Sequence, residues 1–310
     1  MKKIPKYTNM RKKNLQTANK QNAKTGYNSL RLVVLLLFVA FSISAHAYRL
    51  RDVDVTVVNG IITQCTYDIN SLGNIIEIPE TLDGQTITGL GDYCFQLAGK
   101  IKEVTLPATL KIIGIGVFQN HNLTNVVLPE GITSIGVYAF SENSIESINL
   151  PNSITSIGYG AFYINQIKSI QIPIGLTEIE GYSFNNNQIQ ELSIPQSITS
   201  IKGGAFMGNY IKNLFIPKSV FFIGESSFAS NSLESLVFED GCKLTHISTN
   251  CFSANKLSQV VLPSEIKLID NSAFSNNLNL TSFQFNNGLK KIGKRAFSGC
   301  KLSTVDLPDD

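Results

Sequence analysis

LPEGITSIGVYAFSENSIESINLPNSITSIGYGAFYINQIKSIQIP, residues 128–173, states one sentence of sequence twice. Each copy runs from a Leu-Pro step through Ile-Gly to Ala-Phe and an Asn, then through an alternating apolar run to the next proline. Residues 150–173 hold no His, Cys, Asp, Glu or Arg, so the segment recurs without carrying catalytic chemistry.

Aligned on its phenylalanine, the pattern extends through Phe95, Phe118, Phe140, Phe162, Phe184, Phe206, Phe228, Phe252, Phe274 and Phe297, with gaps of 22 to 24 residues. Such a period is the mark of a stacked repeat, and it decides the fold before any local propensity does. A proline stands eleven residues before most of these rings, at Pro107, Pro129, Pro151, Pro173, Pro195, Pro217 and Pro263. Five residues before each ring lies Ile or Leu. Just before the proline come apolar pairs at alternate positions, such as Ile148/Leu150 and Leu214/Ile216. Alternation with period two predicts a strand, and the proline ends it. One unit cannot close a core alone, whereas stacked units pack each Ile and Phe on its counterparts. At about 4.8 Å per parallel strand, ten coils would span about 45 to 50 Å. Three residues after the ring, Asn143, Asn165, Asn187, Asn209, Asn231, Asn255 and Asn277 form a column, with Cys300 in the last unit. Inward-facing Asn side chains can pair turn backbone groups that no strand reaches. The glycines at 91, 114, 136, 158, 224 and 293 share their column with Glu180, Lys202, Ser248 and Asp270, so that position does not demand a positive φ.

The rest of the chain sets the context. Of 310 residues, 43% are hydrophobic and 16% charged, which predicts a packed chain. The net charge of +3 misleads, because residues 1–47 hold nine Lys and Arg and no acid; the remainder has 26 − 9 = 17 basic against 23 acidic side chains. That leader has a basic stretch, the apolar run LVVLLLFVAF (32–41) and the small residues SISAHA. The order predicts a secretory signal peptide over 1–47, with Ala45 and Ala47 as the cleavage pair and Tyr48 as the new terminus. A membrane anchor needs about 20 apolar residues, more than this run supplies, so no stable span is expected after cleavage. Residues 48–73 predict a β-hairpin turning at Asn59-Gly60 and capping the first coil, and residues 74–310 the repeats, the last incomplete. Cys65, Cys94, Cys242, Cys251 and Cys300 are odd in number and show no C-x-x-C spacing, which predicts buried structural thiols and no metal site.

The consensus LPxxIxxIGxxAFxxNxIxxIxI resembles the BspA-like (treponemal-type) leucine-rich repeats over about residues 74–308. FEDGCKLTHISTNCF (238–252), two residues longer, is similar to a variant of the same unit. The resemblance implies a right-handed leucine-rich-repeat superhelix, mainly β, with a parallel sheet on its concave side. It also implies secreted or surface-exposed proteins that bind extracellular or host proteins and act in adhesion.

The chain holds few groups that could carry catalytic chemistry. His46 lies in the leader, His121 and His246 sit alone in repeat turns among Asn, Leu and Thr, no GxGxxG or P-loop is present, and basic residues outside the leader are scattered. Catalysis, cofactors and nucleic acid are therefore not expected. What remains is surface. In the pre-proline strands the outward column reads Thr105, Val127, Asn149, Gln171, Ser193, Phe215, Val237, Val261, Gln284, Asp306. It is mostly small and uncharged, which suits protein or glycan contacts, and Phe215, Val237 and Val261 make a candidate ligand patch in three consecutive coils. The first reading is an exported binding protein. The second is an envelope component that self-associates through its open carboxy-terminal end.

Overall fold

The structure, a computed structural model, describes residues 47–67 and 74–303. Each 22-residue unit makes one coil, and successive coils stack through two parallel ladders. The first ladder contains the pre-proline strands. Tyr48–Arg49, Ile75–Glu77, Glu103–Thr105 and Asn125–Val126 lie side by side; single bridges continue it from Asn125 to Ser147 and from Ser169 to Glu191. Asn213–Ile216 then pairs with Ser235–Phe238, and Gln259–Val261 with Ser282–Gln284. Register follows the sequence columns: Val104 faces Val126, Leu214 faces Leu236 and Val260 faces Phe283.

The second ladder runs through the Ile-Gly step and was not legible as strand. Gly89–Leu90, Ile112–Ile113, Ser134–Ile135 and Ser156–Ile157 are joined in order, followed by groups beginning at Glu178 and His246. These strands are two residues long and so carry no alternation to read. Between the ladders the proline ends one strand and starts a turn: Pro151 O accepts the Ile154 N–H at 3.1 Å, and Pro129, Pro173 and Pro195 repeat the bond. The Asp52–Asp54 turn is the one helical element among the described residues.

Val55–Val58 and Ile61–Cys65 form an antiparallel hairpin around Asn59 (φ 52°) and Gly60 (φ 75°). Two consecutive positive φ values make the type I′ turn that matches strand twist. The hairpin also belongs to the stack, since Ile62 lies in parallel register with Leu90 of the first coil.

The core follows from the columns. Phe95 through Phe274 are at most 1% exposed, and nine successive ring pairs from Phe95 to Phe297 stack with centroids 5.4–5.9 Å apart. That spacing is within the offset-stacked range. The Ile column before the rings is also buried, at 5% exposure or less from Leu90 to Ile269. Turn backbone, which lies outside the ladders, is paired by the Asn column. Asn187 Oδ1 accepts the Ile167 N–H at 3.1 Å, and its Nδ2 donates to Phe162 O at 2.9 Å, both in the preceding coil. Asn143, Asn165, Asn209, Asn231, Asn255 and Asn277 do the same. Cys300 Sγ reproduces the donor half, reaching Phe274 O at 3.3 Å. Each inward Asn thus rivets two coils where no strand can.

Candidate binding surface

The pre-proline ladder offers one continuous face. Phe215 and Val237 are register partners on hydrogen-bonded strands and both are half-buried. Val261, 43% exposed, stands in the next coil but pairs with Gln284 on the following strand. The longer unit at 238–252 precedes that strand, so the ladder bond is interrupted between Val237 and Val261. The structure therefore brings Phe215 and Val237 side by side and leaves Val261 across a gap in the ladder. Ala45, of the cleavage pair, lies outside the described residues, as does the rest of 1–46; Ala47 begins them and Tyr48 opens the first strand.

Other apolar surface lies on the second ladder, where Phe221 and Phe222 are 55% and 43% exposed in the coil that also carries Phe215. Lys202 Nζ lies 5.8 Å from the Phe222 ring centre and 3.0 Å from Glu178 Oε2. The column of Phe222 reads Ser134, Ser156, Glu178 and Ser200 in the preceding coils, so reading this column beside the pre-proline one would have found it.

The turn after the second ladder holds a third feature. Residues two before each core phenylalanine, and two after each from Phe118 onward, have positive φ, whatever their identity: Tyr138, Tyr182, Ser226 and Arg295 in one column, Glu142, Ile164 and Ala254 in the other. In the first of these columns tyrosine alternates with glycine, as Tyr93, Gly116, Tyr138, Gly160, Tyr182, Gly204. A Cβ on Gly116 would meet the Tyr93 ring at 2.3 Å, and one on Gly160 the Tyr138 ring at 2.3 Å. Each tyrosine ring lies across the backbone of the following coil, and only glycine leaves room for it. The Ile-Gly glycines are different: none has positive φ, and their limit is the close approach of the neighbouring coil's backbone, as at Gly136, where a Cβ would lie 2.5 Å from Gly114.

The histidines are less isolated than their sequence neighbours suggest. His246 Nε2 lies 2.7 Å from Asp270 Oδ2, because Asp270 stands two residues past Leu268, the register partner of His246 in the next coil. His121 occupies the Asn column of the second coil, 4% exposed, and its Nδ1 accepts the Ile101 N–H at 3.1 Å. Nδ1 as acceptor puts the proton on Nε2, which finds no partner. Burial, with the nearby Lys100 charge, holds its pKa down to about 4. The basic residues also gather: Lys290, Lys291, Lys294, Arg295 and Lys301 are all exposed in 286–303, a segment without a carboxylate. Among the described residues no three His, Cys, Asp or Glu side chains converge as a metal site. Cys65, Cys94, Cys242 and Cys251 are buried and Cys300 half-buried, and burial pushes all five thiols up, Cys65 to about 11. No helix among the described residues is long and apolar enough to cross a membrane.

Comparison with known proteins places the repeats. A sequence model of the BspA-type leucine-rich repeat region matches residues 88–212 and 199–310, with six copies. The pneumococcal vaccine antigen PcpA is 21% identical, with a TM-score of 0.54 over 84% of this chain and 70% of that one. A leucine-rich repeat protein from Bacteroides ovatus is 20% identical, with a TM-score of 0.46 over 82% of this chain and 84% of that one. A leucine-rich cell surface protein from Faecalibacterium prausnitzii is 18% identical, with a TM-score of 0.43 over 83% and 86%. A search of curated proteins gave no match. At 21% identity the PcpA structure shows likeness of fold alone.

Proposed function

Because the chain belongs to the BspA-type leucine-rich repeat family, we propose that it is an exported, non-catalytic protein that binds extracellular protein partners and serves in adhesion. The observation that carries this reading is the first ladder's face, mostly small and uncharged, with Phe215 packed in register beside Val237 at its centre. A rigid sheet presents such side chains at little cost in ordering, and aromatic anchors dominate binding energy at interfaces. Val261 extends the patch across the interrupted coil. Export rests on the order of the leader and on the first strand beginning at Tyr48.

The test uses residues 48–310 against a panel of purified extracellular matrix proteins. The triple variant Phe215→Thr, Val237→Thr, Val261→Thr keeps strand propensity and should weaken capture about tenfold or more, the size expected for losing a hot spot. Unchanged capture would remove the patch. Amino-terminal sequencing of the protein recovered outside the cell should begin at Tyr48; recovery with residues 1–47 attached would contradict cleavage.

A further inference from the structure

We propose that the turn face around Tyr138, Tyr159, Tyr163 and Tyr182 is a second binding platform, for a polypeptide segment bearing arginine or lysine. It goes beyond the reading above and uses a different side of each coil. Tyr138 and Tyr159 meet edge to face at 5.6 Å between ring centres, Tyr159 and Tyr182 lie 5.3 Å apart at 42°, and Tyr163 meets Tyr182 at 6.3 Å. Four rings from three consecutive coils thus form one aromatic surface.

The surface is fixed in place from below. Tyr138 lies over Gly160, Tyr159 over Gly181 and Tyr182 over Gly204, with a Cβ at those glycines 2.3, 3.1 and 3.1 Å from the rings. It is also open above: Tyr159 is 40% exposed, Tyr182 38% and Ile164 42%. Ile164 holds φ +52°, a conformation that a β-branched residue rarely takes, and so stands at the platform's edge at some cost. Tyrosine gives large contact area with few rotatable bonds, which suits a preorganised contact.

Charge selects the partner. Glu142 is exposed in the coil of Tyr138, its backbone N–H donating to Tyr163 O at 2.7 Å, and it shares a hollow with Lys100 and Asn120 of the preceding coils; Glu180 lies two residues before Tyr182. Neither carboxylate forms an ion pair among the described residues: Lys100 donates to Asn120 Oδ1 at 2.8 Å, and Lys202 is engaged by Glu178 and the Phe222 ring. Electron-rich ring faces flanked by unpaired carboxylates attract a guanidinium or ammonium group, by cation–π contact and by Coulomb attraction.

Residues 48–310 hold eight tyrosines, four of them on the platform, and no tryptophan, so tyrosine emission responds to binding there and the variants below assign the response. Residues 48–310 would be titrated with the peptide acetyl-Gly-Arg-Gly-Arg-Gly-amide and with its citrulline counterpart, equal in shape and uncharged. The expected result is a saturable emission change with the arginine peptide and about tenfold or more weaker binding of the citrulline one. Tyr159→Leu with Tyr182→Leu should lose that binding, Tyr159→Phe with Tyr182→Phe should keep it, and Glu142→Gln with Glu180→Gln should weaken it and flatten its salt dependence. The Phe215, Val237, Val261 triple variant should bind the peptide as the parent does, which keeps the two surfaces separable. Equal response to both peptides, no saturation by about 1 mM, or saturable binding of maltohexaose in place of the arginine peptide would each overturn the assignment.

Discussion

His121 shows how much one side chain matters in a ladder. The Asn column gives each coil an acceptor and a donor, and His121 supplies only the acceptor through Nδ1. Its Nε2–H is buried without a partner, an omission that costs about 1 to 3 kcal/mol. Its folded-state pKa of about 4 lies below the ordinary 6.5. As pH falls from about 6.5 toward about 4, the unfolded chain takes up a proton that the folded chain refuses. Stability is therefore full above that window and declines through it, by up to about 3 kcal/mol. His121→Asn should raise stability at neutral pH and remove this decline, measured as urea midpoints at several pH values. A variant that keeps the parent's slope would show that another group titrates.

At the scale of the element, the hairpin is the place where the stack begins. Gly60 has φ +75°, and an added Cβ would lie 2.5 Å from Thr86 O. Its own carbonyl accepts the Thr88 N–H at 2.8 Å, which docks the first coil. Gly60→Ala should destabilise this end by about 1 to 3 kcal/mol, seen as faster amide exchange across Ile61–Cys65 and Gly89–Leu90 while coils beyond Phe140 stay protected. Uniform exchange along the chain would argue that the stack unfolds as one unit. What the sequence made legible follows the same division. The pre-proline strands, the Phe and Ile columns and the Asn ladder recur in residue type, because an interior position admits few side chains. The second ladder escaped notice because two residues show no alternation. The positive-φ columns escaped because their requirement falls on the backbone, and Tyr, Gly, Ser, Asn and Arg all meet it. His246 with Asp270, and the tyrosine platform, join residues one coil apart; they emerge only when the columns are read against each other.

Taken whole, the molecule is a stack whose stability is close to a sum over coils and their contacts. Removing one unit in register should therefore leave a folded, weaker protein. Deletion of residues 207–228, which runs from Met207 to Phe228, is such a case, since Gly204 would then be followed by Asn250. The tyrosine column breaks this rule. Deleting 141–162 removes Gly160 and sets Tyr182 directly against the ring of Tyr138, where the structure leaves no room even for a methyl group. Deleting 141–184 restores a glycine, Gly204, beneath Tyr138. The second deletion should melt no lower than the first although it is one coil shorter, and a lower melting temperature would refute the pairing. Between Gly116 and Gly204, then, the two kinds of coil are not interchangeable. A gene that loses one 22-residue unit there keeps a sound product when the lost coil carries the tyrosine, which leaves glycine beside glycine, and not when it carries the glycine, so which coil can be spared is set by a ring and the bare backbone beneath it.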